Sequence, residues 1–418
     1  MSRISAIVSV LWLLGCTDTN SVTAPAWVNP HSSRIASPMS QLAAVSRCTG
    51  TSIAPGDDWS AKIAAAPTGA TFCIKNGVHT KARNLIPKSG QRFIGESYLG
   101  ATLTGGGTAR RAFGGSASHI TIRYLRIEHY APVDGGAAMI HGDAGRSWVV
   151  DSNEIAFSKG AQGVRVGDRG HVCWNRVHDN GTAGIAIYKA DSVLICGNHL
   201  ARNPPTYVSE TGMTARASQI KVFATVGTVV RGNLIEDGKK KGIWFDTDNY
   251  KAVIESNTVR RQGQAGIWYE ANYDARISGN TVAGCGSAST ATWVENAGIQ
   301  VTNSQLVEIS GNTISGCDNG ITGMSVAAAS GHHYSTGIRG PKALGMNVHD
   351  NTVTQTSGKT GVRATGAADS VFRNGKIQYR ANRYDLTANT APFSWQNASK
   401  TAAQWRSLGF DKLGSFTP

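Results

Sequence analysis

Val149–Ile155 reads VVDSNEI, and the phrase returns as VCWNRV at Val172–Val177, LICGNHL at Leu194–Leu200, VVRGNLI at Val229–Ile235, VIESNTV at Val253–Val259, RISGNTV at Arg276–Val282, EISGNTI at Glu308–Ile314 and NVHDNTV at Asn347–Val353. The asparagines of this phrase are Asn153, Asn175, Asn198, Asn233, Asn257, Asn280, Asn312 and Asn351, separated by 22, 23, 35, 24, 23, 32 and 39 residues. A unit of about 23 residues is therefore extended by loops in three places. After seven of the eight asparagines comes a second phrase, Gly163-Val164, Gly184-Ile185, Gly242-Ile243, Gly266-Ile267, Gly298-Ile299, Gly320-Ile321 and Gly361-Val362, opening a short β-like run. Units of two or three short strands cannot bury a face alone, so they must stack.

These repeats resemble the right-handed parallel β-helix proteins, the superfamily that includes pectate lyases and many glycoside hydrolases. The resemblance covers residues 70–390 and implies an all-β, single-stranded right-handed parallel β-helix, a solenoid of about ten coils. It also implies that the repeated asparagines sit in tight turns and stack as a ladder of side-chain amides, a structural role. Residues Asp57 to Ala66 (DDWSAKIAAA) are expected to form an amphipathic helix that caps one end. Phe393 to Pro418, with Trp395, Trp405, Leu408 and Phe410, are expected to pack as a cap on the other. The expected organisation is 1–15 signal peptide, 16–46 flexible tether, 47–392 β-helix and 393–418 C-terminal cap.

The N-terminus and the cysteines point outside the cytoplasm. Arg3 precedes an apolar run, Ile4 to Leu14, too short to span a bilayer and suited to a signal-peptide core. Its ending, Leu13-Leu14-Gly15-Cys16, resembles a bacterial lipobox, which implies lipid on Cys16 and anchoring at the cell envelope; an ordinary signal peptide cut near Ala24 or Ala26, giving a secreted protein, is the alternative. Six cysteines remain, an even number that in an exported chain invites disulfides. Aligned on the repeats, Cys173 and Cys196 each stand two residues before their ladder Asn, and Cys285 and Cys317 each stand five after. Equivalent positions on adjacent coils are about 4.8 Å apart, within disulfide range. Both pairs are expected, with Cys48 and Cys73 closing the cap.

Chemistry is expected on the outward-facing positions of the second phrase. Superposing GVRVGD, GIAIYK, QIKVFA, GIWFDT, GIWYEA and GIQVTN gives one column of Arg165, Ala186, Lys221, Trp244, Trp268 and Gln300, and a second of Gly167, Tyr188, Phe223, Asp246, Glu270 and Thr302. Asp246 and Glu270 stand 24 residues apart, one coil, and retaining glycosidases hold their two carboxyls at about 5 to 5.5 Å. The phrase GIWFDTDNY…GIWYEANY is similar to one of exported bacterial β-helix proteins and to glycoside hydrolases with nucleophile and acid/base on neighbouring coils. That likeness implies catalysis by Asp246 and Glu270, and reaches no further residues. Trp244, Trp268 and Tyr188 offer ring faces to sugars, with Asp248 and Arg165 as polar contacts. The expected function is hydrolysis of a polysaccharide by a monomer needing no cofactor.

The rival is β-elimination on uronates: Lys221 as base, Arg165 on substrate, and Asp246, Asp248 and Glu270 as Ca2+ ligands. A net charge of +14, from 41 Lys+Arg against 27 Asp+Glu, suits polyanionic partners and so favours it. A noncatalytic polysaccharide-binding rod is the third reading. Nucleic acid is excluded as a partner, because no recognition motif is present and the charge is not clustered. Lys239-Lys240-Lys241 reads as a solvated edge. His332-His333-Tyr334 reads first as a plain loop pair and second as a wall over the face, while the insertion Arg202 to Ser218, with Tyr207 and Arg216, reads as a cleft wall. His141-Gly142-Asp143 offers an acid/base pair without a nucleophile.

Overall fold

The computed structural model describes residues 48–132, 137–204, 217–286, 293–326, 344–365, 370–373 and 376–417. Cys16, Tyr207, Arg216 and His332-His333-Tyr334 lie outside the described residues. From residue 48 onward the chain winds through three sheets in turn. One coil runs from His171–Cys173 in the first sheet to Arg176–His178 in the second and Ala183–Tyr188 in the third. The first two sheets have 13 strands each and the third 12, and neighbouring coils pair in parallel throughout; the antiparallel pairing of Phe393–Trp395 with Ala398–Lys400 closes the third sheet. Coils ahead of Asn153 pair in the same way but carry no ladder asparagine. The described residues thus hold more coils than the eight asparagines of the repeat, or the expected ten, would count.

Strand alternation sends one residue in two to the interior. Val172, Val177, Ile185 and Ile187 of one coil stack on Ile195, Leu200, Ile220 and Val222 of the next, all fully buried. Each such side chain contributes about 1.5–3 kcal/mol when removed from water, so the stack of coils is one continuous core.

The turn between the first two sheets carries the ladder. Each Asn side chain donates to the amide oxygen of the Asn one coil on, from Asn153 to Asn175 (3.1 Å) through to Asn312 and Asn351 (2.9 Å). It runs further, from Asn351 to Asn382 (2.9 Å) and from Asn382 to Asp411 (2.8 Å). The residue before each Asn is left-handed, as in Ser152 (φ 56°), Trp174 (54°) and Ser256 (55°); glycine at 197, 232, 279 and 311 meets that demand without a Cβ penalty.

Two shorter ladders were not anticipated. Asn180 donates to Asn203 (3.0 Å) and Asn203 to Gln219 (2.7 Å) between the second and third sheets. After the third sheet, Asn249 donates to Asn272 (2.9 Å), whose backbone N–H donates to Ser304 (3.0 Å).

The three disulfides form as paired, with Cα–Cα distances of 5.5 Å for Cys48–Cys73, 4.6 Å for Cys173–Cys196 and 4.3 Å for Cys285–Cys317. They mark a chain that folds in an oxidising compartment. The N-terminal helix spans Trp59–Ala65, capped by the Asp58 side chain on Ala61 N–H, and buries Trp59 and Ile63. At the other end the helix Ala402–Ser407 starts with a Thr401/Gln404 capping box. There Trp405 packs on Phe393 (4.7 Å) and Phe410 (4.5 Å), and Trp395 packs on Phe410 (4.7 Å). Leu408, expected in this cap, is 43% exposed because it sits at the helix C-cap, past the buried side.

Candidate functional site

The third sheet collects the outward columns. Its register places Arg165, Ala186, Lys221, Trp244, Trp268 and Gln300 side by side on successive coils. In the next column Tyr188, Phe223, Asp246, Glu270 and Thr302 are neighbours in the same way. The turn just beyond holds this edge rigidly, since the Asn249 side chain also donates to the Asp246 carbonyl (2.9 Å).

Three hydrogen bonds cross this face on one repeated diagonal, from the first column of one coil to the second column of the next. Lys221 Nζ donates to Asp246 Oδ2 (2.6 Å), Trp244 Nε1 to Glu270 Oε2 (3.0 Å) and Trp268 Nε1 to Thr302 Oγ1 (3.0 Å). Arg165 follows the same diagonal with a different contact: its guanidinium lies over the Tyr188 ring at 4.9 Å. Identical backbone geometry thus brings an ammonium to one carboxylate and an indole N–H to the other.

Burial then separates the two acids. Lys221 is 7% exposed, and loss of water drives its pKa down to about 7 even though Asp246 and Glu270 favour its charge. Glu270 is pushed up to about 7, first by burial and second by the charge of Asp246; Lys221, the Trp244 hydrogen bond and Lys241 pull the other way. Asp246 has both oxygens engaged, Oδ2 by Lys221 and Oδ1 by the Thr247 hydroxyl (2.8 Å). The result is an ion-paired carboxylate one coil from a carboxyl that holds a proton near neutrality.

The aromatic side chains do something other than expected. Trp244 and Trp268 stack at 5.2 Å with rings 7° apart, and Lys221 and Lys241 lie over the Trp244 ring, so Trp244 is only 7% exposed and has no open face for a sugar. The reason is the coil spacing: like rings on successive coils stack on one another along the axis. Tyr188 and Phe223 stack likewise at 5.0 Å, yet Tyr188 remains 39% exposed at the edge of the face. Phe223, one coil before Asp246 in the same column, is the partner in this stack.

Lys240 and Lys241 correct the reading of that run as a solvated edge: they are 1% and 6% exposed, and only Lys239 stays on the surface. The strand Lys241–Asp246 begins at Lys241, which draws the end of the run into the sheet.

Arg165 is held by Asp143, its Nε 2.8 Å from Oδ2, and His141 approaches the other Asp143 oxygen at 3.0 Å. His141 pairs in register with Arg165 and so extends the first column by a coil. Burial would raise the Asp143 pKa, but His141 and Arg165 outweigh it and hold the carboxyl below its usual value.

The residues proposed for calcium do not fit a dication. The left-handed pair Thr247 and Asp248 (φ 41° and 62°) carries Asp248 past the end of the strand. An ammonium 2.6 Å from Asp246 repels a second cation at the same carboxylate. Among the described residues Asp246, Asp248 and Glu270 do not come together as a three-ligand group.

A stack of parallel coils with three sheets and an asparagine ladder defines a right-handed parallel β-helix protein, and residues 138–314 match the family described as "Right handed beta helix region". Among solved structures the chain is similar to a mannuronic acid specific family 6 polysaccharide lyase from human gut microbiota, with a TM-score of 0.55, 13% identity, and 88% of this chain and 91% of that chain covered. It is also similar to a PL6 family alginate lyase (TM-score 0.52, 13% identity, 86% of this chain and 56% of that one). A third is the catalytic domain of a GH87 α-1,3-glucanase in complex with nigerose (TM-score 0.54, 12% identity, 95% and 70%). At these identities the likeness is one of fold. No curated protein matches the chain in sequence.

Proposed function

We propose that this protein is an exported carbohydrate-active enzyme that hydrolyses glycosidic bonds of a polysaccharide, with Glu270 as acid/base and Asp246 as nucleophile. The observation that carries the reading is the contrast within one in-register pair: Asp246 is matched to an ammonium, whereas Glu270 is raised to about 7. Two carboxyls given such different partners can divide the labour of a retaining glycosidase. Glu270 gives its proton to the glycosidic oxygen as the bond to the anomeric carbon breaks, and Asp246 forms a covalent bond to that carbon. Glu270, now ionised, takes a proton from water; the resulting nucleophile releases the sugar and Asp246 returns to carboxylate. Adjacent coils, about 4.8 Å apart, provide the short separation this route needs. The folds of the neighbours, two named as lyases and one as a glucanase, support a carbohydrate substrate without choosing between the reactions. The Cys16 lipobox supports attachment to the cell envelope.

β-Elimination is the second reading, favoured by the Lys221 pKa of about 7, which suits a general base. Against it, Lys221 is buried behind Trp244 and gives its hydrogen bond to Asp246. The deciding experiment incubates the signal-free protein with neutral and uronate polysaccharides and follows reducing ends and absorbance at about 235 nm, with and without chelator. Reducing ends without absorbance are expected; absorbance from an unsaturated uronate would transfer the chemistry to Lys221.

A further inference from the structure

The diagonal hydrogen bonds raise the question of what decides which of two neighbouring carboxylates is the acid. Asp246 and Glu270 occupy equivalent positions, differ by one methylene and lie on the same sheet face. Their donors differ: Lys221 brings a charge to Asp246, Trp244 a neutral N–H to Glu270.

We infer that Trp244 is a positioning residue that fixes Glu270 as the acid/base, by aiming its carboxyl through Nε1 and by screening it with the ring stack; this rests on the hydrolase reading above. The ring does the screening because Trp268 and Lys241 close around it and hold it against the Glu270 carboxyl, which itself stays partly exposed. The N–H does the aiming, and it works against the screening: a donor to a carboxylate favours the charged form. Glu270 is thus high enough to hold a proton near neutrality and low enough to release it. The charged groups facing Glu270 are Asp246 and Lys241 on the preceding strand and Lys221 one strand further. The following strand, Ala297–Thr302, presents no titratable side chain.

The test is Trp244→Phe, which keeps a flat ring in the stack and deletes the donor. The alkaline limb of the kcat/KM pH profile is expected to move up by about one pH unit, the effect of one hydrogen bond to a charged group. Trp244→His, which keeps a ring N–H on the same column, is expected to leave the limb at or below its original position. A ring that only fills space predicts lower kcat with the limb unmoved in both variants, and that outcome overturns the inference; so does a His variant whose limb moves up with the Phe variant.

A second readout does not depend on turnover. The Tm difference between Glu270→Gln and its parent, followed from pH 5 to 9, reports the Glu270 titration directly. In the Trp244→Phe background its rise should fall at higher pH. If the rise stays put, Trp244 does not act on Glu270. If it moves while no hydrolysis of any polysaccharide is found, the positioning relation stands and the hydrolase reading fails.

Discussion

The second and third sheets are built from the same coils at the same spacing, and both place carboxylates in rows, yet they treat them in opposite ways. On the second sheet Glu154 accepts from Arg126 (2.8 Å), Arg176 (3.1 Å) and His178 (3.0 Å), and Arg123 pairs with Asp151 at the edge of the first. Asp179 takes both Arg202 contacts, and Glu236 and Asp237 share His199, Arg260 and Arg261. The hydrogen bond from His178 is the largest reason that Glu154 is held down at about 2, burial opposing it and the two arginines adding to it. On the third sheet Glu270 has one neutral donor and rises to about 7. Acid rows alike in spacing thus differ in their donors, and Glu270 stands out because its one hydrogen-bond donor is neutral.

The largest expected effect is on Glu270. Glu270→Gln should lower hydrolysis by about 10²–10⁴-fold, as loss of a general acid does, and should also raise Tm. Because the folded pKa of Glu270 is raised, its share of stability is present below the usual carboxylate value and is lost as pH rises through about 7. The Tm gain should therefore be small at pH 5 and several degrees at pH 8; a gain that is largest at acid pH would contradict the burial of this group.

Lys221 comes next. Lys221→Met leaves Asp246 without its cation and is expected to cost about 3 kcal/mol, while adding Asp246→Asn should recover most of it. Simple additivity of the two losses in a denaturant titration would show that the pair is not coupled. The wild-type pair carries its own pH signature: the Lys221 pKa is depressed, so its stabilising share is present at high pH and is lost as pH falls through about 7.

A smaller change is expected on the second sheet. Glu154→Gln should lower Tm by a few degrees at pH 7 and leave kcat/KM unchanged. Its depressed pKa means that the wild-type advantage is present above the usual carboxylate value and fades as pH drops toward about 2. An activity loss in this variant would join the two faces functionally. Smallest of all is the exposed Arg276–Glu255 pair (2.6 Å). Arg276→Ala should change stability by no more than about 1 kcal/mol by chemical denaturation.

Much of this architecture can be read from residue order, because a solenoid repeats its local environment. The Asn153 to Asn351 spacing carries the main ladder, and the cysteine offsets carry two of the disulfides. The register that aligns Asp246 with Glu270 follows from the Gly-Ile phrase. What escapes such reading is what spacing does not encode. The Asn180–Asn203–Gln219 ladder changes residue type, and the insertion after Asn203 interrupts its sequence spacing. Burial of Lys240 and Lys241 depends on where the strand starts, which a lysine run does not announce. Above all, alternation says that Trp244 faces outward but not that Trp268 and Lys221 close over its faces, so a side chain that looks like a sugar platform becomes a hydrogen-bond donor. Arginines such as Arg126, Arg176 and Arg260 stand 22 to 28 residues from their acids and meet them only when the coils are stacked.

The asparagine ladder ends on Asp411, and the change of one functional group there matters. Every asparagine along it both accepts and donates, so each coil leaves a free amide for one more, as a growing polymer end does. Asp411 accepts from Asn382 through Oδ1 and from Tyr384 and Trp405 through Oδ2, and has no amide to pass on. It acts as a chain terminator. Asp411→Asn would place an amide N–H where Oδ2 now accepts from Tyr384 and Trp405, setting donor against donor inside the cap. A single carboxylate, accepting four hydrogen bonds and offering none, thus closes the ladder inside the cap.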